Sequence, residues 1–138
     1  MENKYYADTS IWIDLYEDRK GFNNEKLGDY ALDLFYFIID KNHRLIISDL
    51  LIKELGINYT TAQINGMMKI YGNLIEKVKI TTKQRDEAKK LSLERNLPYG
   101  DALHAIIARD NNLILVTRDN HFKKLTDISK YYKPEELI

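Results

Sequence analysis

Four carboxylates stand out by where they fall in the chain: Asp8, Glu54, Asp101 and Asp119. Asp8 closes the short aromatic segment Lys4-Tyr5-Tyr6-Ala7, and Asp119 follows the apolar run Leu113-Ile114-Leu115-Val116-Thr117, so both fall where a strand would end. Glu54 and Asp101 each lie early in, or soon after, a helix that a strand or a break introduces. Brought to one edge, four such groups would repel one another and raise each other's proton affinity, so the cluster requires cations. An all-oxygen site suits Mg²⁺ or Mn²⁺, with water as the remaining ligands. One such ion can polarise a phosphoryl oxygen and lower the pKa of bound water, and a second about 4 Å away can stabilise the leaving oxygen. The chemistry implied is phosphodiester hydrolysis. Each acid also has a plainer explanation: Asp8 as a helix N-cap, Asp101 as a partner of a helix dipole, Glu54 as a solvated helix residue and Asp119 as a turn former.

The elements that must position these acids alternate between strand and helix patterns. After the first strand, Asp8-Thr9-Ser10 favours a helix start, and Ile11, Trp12 and Leu15 recur at helical spacing before a polar loop with Gly21. Residues 25–41 carry Leu27, Ala31, Leu34, Phe35, Ile38 and Ile39 at steps of three and four, the stripe of an amphipathic helix. A strand over 44–48, a helix over 50–55 stopped by Gly56, a helix over 60–74 and a short strand over 78–80 follow. A charged helix over 82–96 is broken at Pro98-Tyr99-Gly100 and restarts over 101–110. There Asp101 shares a face with Ala105 and Ala108, whose small side chains let the helix carry the acid close to a sheet. The run 113–117 is the clearest buried strand, and a short strand over 128–132 followed by a final turn or helix ends the pattern. Strands separated by helices predict an α/β fold with parallel pairing and helices on both sheet faces, and ligands in such folds sit beyond the carboxyl ends of the strands.

Composition bounds the rest. With 138 residues, the chain reads as one domain over 1–138. It has no cysteine, which excludes disulfides and thiolate metal sites and predicts a cytoplasmic home. Neither a signal-peptide core nor an apolar run of about 20 residues is present, which predicts no membrane attachment. The 21 basic and 21 acidic residues cancel, so a polyanionic substrate would have to be drawn by a local patch. Arg118, Lys123 and Lys124 flank the fourth acid and are expected either to contact such a backbone or to form a solvated charged surface. His104 reads as a packed or supporting group, His121 as a turn residue, and Asp14 as too far along its helix to be a ligand. The aromatic cluster Tyr30, Phe35, Tyr36 and Phe37 reads as core with an exposed portion fit for an interface.

Four stretches in order, Tyr6 to Leu15 (YADTSIWIDL), Ile47 to Leu55 (ISDLLIKEL), Leu97 to Ala105 (LPYGDALHA) and Leu115 to Phe122 (LVTRDNHF), resemble the motifs of PIN-domain ribonucleases, most closely the VapC-type toxins of prokaryotic toxin–antitoxin pairs. They span nearly the whole chain. The resemblance implies a PIN-like three-layer α/β/α sandwich around a central, mainly parallel sheet of about four to five strands. It also implies Asp8, Glu54, Asp101 and Asp119 as the catalytic, metal-holding quartet, with Thr9 and Thr117 in support, Thr117 by a hydrogen bond to Asp8. Mg²⁺ or Mn²⁺, an RNA substrate, homodimerisation and a cognate antitoxin follow from it as expectations. Within the same fold, a housekeeping RNA-processing nuclease and a non-catalytic binding module are the alternatives. A haloacid-dehalogenase-type phosphatase would need a second aspartate where Ser10 stands, and a receiver domain would need paired early acids.

Overall fold

The computed structural model describes residues 2–138 and consists of a five-stranded parallel sheet flanked by helices. In chain order the elements are β1 Lys4–Ala7, α1 Thr9–Glu17, α2 Leu27–Asp40, β2 Arg44–Ser48, α3 Asp49–Leu55, α4 Thr61–Lys69, β3 Ile75–Val78, α5 Thr82–Arg95, α6 Tyr99–Asp110, β4 Ile114–Val116 and β5 Tyr131–Tyr132. Short 3₁₀ turns at Gly72–Leu74, Asn120–Leu125 and Pro134–Glu136 complete them. The strand order is β3-β2-β1-β4-β5. The chain thus runs outward from β1 through β2 to β3, then returns to the opposite side of β1, which makes β1/β4 the point where the winding reverses.

Period-two alternation along each strand divides the core between the two faces. Tyr5, Ala7, Leu45, Ile47 and Val116 pack with Trp12, Phe35 and Leu51 of α1, α2 and α3. Tyr6, Ile46 and Leu115 face the other way, onto Ala88 and Leu91 of α5 and the Leu103, Ala105, Ile106 and Ile107 stretch of α6. Local capping fixes where several helices begin: Asp8 caps α1, Ser48 caps α3, and Thr60 and Thr81 form capping boxes with Gln63 and Gln84. Among the described residues no helix is long and apolar enough to cross a membrane.

Several predicted boundaries move. The helix expected over 60–74 ends at Lys69, before a 3₁₀ turn in which Gly72 takes φ +45°, a conformation that favours glycine. The third strand spans Ile75–Val78 rather than 78–80, because Leu45 to Ser48 of β2 pair with that earlier stretch. The break at Pro98 is the N-cap of α6, so the helix starts two residues before Asp101. Leu93 of α5 is 85% exposed, since it lies two residues from buried Leu91 and so on the opposite side of the helix.

Candidate active site

The carboxyl ends of β1, β2 and β4 release the chain at Asp8, Asp49 and Thr117, and α6 enters the same region with its first turn. Asp8, Glu54, Asp101 and Asp119 all line one cleft of about 360 Å³, together with Thr9, Ser10, Ile13, Arg19, Ile57, Asn58 and His104. Glu54 occupies the last turn of α3 and reaches the cleft from that end.

Asp8 is buried and fully engaged. Its Oδ1 accepts from Ser10 Oγ at 2.6 Å and from the backbone N–H of Ile11, and its Oδ2 accepts a short hydrogen bond from Thr117 Oγ1. Burial raises its pKa despite these donors. The same Thr117 oxygen accepts from the backbone N–H of Asp119 at 3.0 Å, so one hydroxyl ties Asp8 to Asp119 across the β1/β4 junction. N-capping and site membership are therefore not alternatives for Asp8: the side chain does the first while lining the cleft.

Glu54 is held by one oxygen. Thr9 Oγ1 donates to Oε1 at 2.6 Å, and His104 Nε2 lies 2.7 Å from the same atom. Burial would raise the Glu54 pKa, but the contacts with His104 and Thr9 hold it below the usual carboxylate range. Its Oε2 lies against Gly100, where an added Cβ would come within 2.6 Å of it. A side chain at position 100 would therefore occupy space the carboxylate uses.

Asp101 and Asp119 form the most charged corner. One ligand atom from each, with one from His121, all lie within 4.8 Å of one another. His121 Nδ1 is 3.0 Å from Asp101 Oδ2 and 2.9 Å from Asp119 Oδ1, a bridging position. The approach to Asp101 satisfies distance but not hydrogen-bond direction, and Asp101 Oδ2 remains a buried acceptor without a partner. Burial first, and then the Asp119 carboxylate, push the Asp101 pKa up to about 6. A buried oxygen with no donor beside a second carboxylate fits a divalent cation, and a donor set in which carboxylate oxygens predominate fits a hard one. The half-exposed imidazole of His121 stands over these two acids.

Sequence position alone misplaced one cation. Arg118 does not face the cleft: its guanidinium forks onto Glu135 at 2.9 and 2.6 Å, approaches Asp14 at 3.7 Å, and lies 5.6 Å from the centre of the Tyr30 ring. It ties the strand-end loop to α1, α2 and the C-terminal turn. Lys123 is exposed on the 3₁₀ turn after Asp119 but does not line the cleft. The cleft's cation is Arg19, which lies in the loop after α1 and was not singled out in the sequence. No local motif marks it, because only the packing of α1 beside α3 brings that loop to the acids.

The chain matches the family model for the PIN domain over residues 5–128. It belongs to the PIN domain family. The fold agrees with that of several solved structures. A toxin–antitoxin complex from Klebsiella pneumoniae superposes with a TM-score of 0.64 at 19% identity, over 94% of this chain and 97% of that one. VapBC2 from Rickettsia felis, bound to a DNA fragment from its promoter, gives 0.67 at 18% identity over 94% and 98%. PAE2754 from Pyrobaculum aerophilum gives 0.60 at 24% identity over 99% and 93%. At these identities the likeness concerns the fold, and a comparison with curated proteins gives no match. The PIN-domain resemblance of the four motifs, and the expected three-layer architecture, are borne out; the sheet is parallel throughout.

Proposed function

We propose that this PIN domain, a single domain over 1–138, is a divalent-metal-dependent endoribonuclease and the toxin of a toxin–antitoxin pair. The observation that carries the nuclease assignment is the partnerless buried oxygen of Asp101 beside Asp119, in a cleft that Asp8 and Glu54 also line. Asp101 and Asp119 would hold the cation, and Asp8 and Glu54, each fixed by hydroxyl donors, would complete the negative wall around it. When bound, Mg²⁺ or Mn²⁺ supplies Lewis-acid polarisation of the phosphoryl oxygen and of water. Arg19, half-exposed on the same wall and only 3.8 Å from Glu17 as its ion-pair partner, contacts the RNA phosphate, and exposed Lys123 extends that contact.

The toxin assignment draws on the solved structures of similar fold, two of which are toxin–antitoxin complexes. An apolar groove of about 330 Å³ between α1, α2 and α4 supports it. Tyr16, Leu32, Tyr36, Ile39 and Ile70 line this groove and are exposed, and buried Trp12 there carries an indole N–H without a partner. A cytoplasmic homodimer neutralised by a small antitoxin completes the proposal. Co-expression with a small protein encoded beside the gene should restore growth, and sedimentation should give twice the chain mass; unrelieved toxicity or a monomer would remove those parts alone.

For the nuclease itself, a mixed pool of structured RNAs is incubated with wild type and Asp101→Asn, with Mn²⁺ or Mg²⁺ and then with chelator. Cleavage should require both wild type and metal, and the variant should fall by on the order of 10²-fold or more while keeping its fold. Undiminished cleavage by the variant would sink the assignment.

A further inference from the structure

Behind the acidic cleft runs a buried chain of polar groups with no part in the functions proposed so far. Ser48 caps α3 by accepting from Leu51 N–H at 3.2 Å; its Oγ lies 2.7 Å from Tyr6 Oη; Tyr6 Oη lies 2.7 Å from His104 Nδ1; and His104 Nε2 lies 2.7 Å from Glu54 Oε1. Ser48, Tyr6 and His104 are at most 2% exposed. The chain thus leaves the first turn of α3, crosses β1 and α6, and returns to the last turn of α3.

Counting protons gives the chain a direction. Glu54 is an acceptor, so His104 donates through Nε2–H. If Ser48 donates to Tyr6 and Tyr6 donates to Nδ1, every polar proton has an acceptor. Reversed at the imidazole, Nδ1–H would donate to Tyr6 and Tyr6 to Ser48, leaving the fully buried Ser48 proton with no acceptor among the described residues. The forward direction therefore selects the Nε2–H tautomer of His104. With Thr9, it saturates Glu54 Oε1 and leaves Oε2, which takes no hydrogen bond among the described residues, as the free oxygen of that carboxylate.

We propose that His104 is a positioning residue for the metal centre, aiming Glu54 through a directed Ser48–Tyr6–His104 hydrogen-bond chain. The inference rests on the metal-dependent function proposed above. Its content is that Tyr6 acts on Glu54 only through His104.

The test is a calorimetric Mn²⁺ titration of metal-free wild type, His104→Phe, Tyr6→Phe and the double variant, with near-ultraviolet circular dichroism reporting the fold. His104→Phe should weaken Mn²⁺ binding about 10- to 100-fold, the range for residues that orient a metal ligand. Tyr6→Phe should weaken it less, and the double variant should be no weaker than His104→Phe, whereas two independent packing defects would multiply. In wild type, nitrogen NMR of the imidazole should show Nε2 protonated and Nδ1 not. If His104→Phe does not fold, Tyr6→Phe, which loses one oxygen atom, decides by its affinity and by whether the tautomer persists. Affinities within twofold of wild type, multiplying losses, or an Nδ1–H tautomer would each overturn the inference while leaving the nuclease assignment standing. A wild type that binds no Mn²⁺ would overturn both.

Discussion

Asp101 is the residue at which folding and the proposed metal binding pull in opposite directions. Its pKa, about 6 in the folded protein, lies above the value for an unfolded aspartate, so the folded state binds a proton more tightly. The stability this confers is present at low pH and is lost as pH rises through about 6, because the ionised carboxylate then sits buried beside Asp119. A bound cation reverses the sign, since it takes the ionised form. The chelated protein should therefore melt lower at about pH 7.5 than at about pH 5 by an increment that Asp101→Asn removes, and Mn²⁺ should raise the melting temperature more at the higher pH. Equal Mn²⁺ increments at the two pH values would exclude Asp101 as a ligand. Asp8, Asp101 and Asp119 were legible because they follow strands or open a helix. The company kept by Glu54 was not: Thr9 and His104 lie 45 and 50 residues away, and no local pattern encodes such a meeting. Arg118 was misread for a related reason, because a neighbour of Asp119 in sequence need not face the same side, and its guanidinium goes to Glu135.

At the level of elements, the site depends on how closely the first turn of α6 approaches the last turn of α3. Gly100 sets that distance, with the place of its missing Cβ 2.6 Å from Glu54 Oε2. Because the obstructed atom is the end of a side chain, Gly100→Ala should leave the fold intact, with a stability change within about 1 kcal/mol, and displace the carboxylate instead. Mn²⁺ affinity should drop several-fold at nearly unchanged melting temperature; unaltered affinity would show that Glu54 does not contribute to binding. The helices were readable from their apolar stripes and caps, and β1 from its aromatic run. The shift of β3 to Ile75–Val78 was not readable, since a short strand at the sheet edge takes its register from pairing with β2 rather than from a pattern of its own. The end of α4 at Lys69 likewise turns on Gly72, three residues further on, whose positive φ no helical pattern announces.

The whole molecule is a sheet with a core on each face, and both cores share the same strands. Phe35 on one side and Leu103 on the other are buried to within 1%. Truncating either to alanine should cost about 2–5 kcal/mol, and the double variant should lose the sum in one cooperative transition, because the sites are separated by the sheet yet unfold together. Two resolved transitions in chemical denaturation would show instead that the faces unfold independently. The α/β class and the parallel sheet could be read from alternating strand and helix patterns; the apolar groove could not, since it is formed by three helices that only the tertiary fold assembles. One feature of the topology also bears on synthesis. The hydrogen bond that joins Asp8 to Thr117 links positions 109 residues apart, and Asp119 follows later still. An emerging chain displays Asp8 from the outset but lacks its Thr117 partner and the Asp119 carboxylate until β4 has left the ribosome. Prematurely terminated products would accordingly lack the assembled four-acid cleft, which only the completed chain closes.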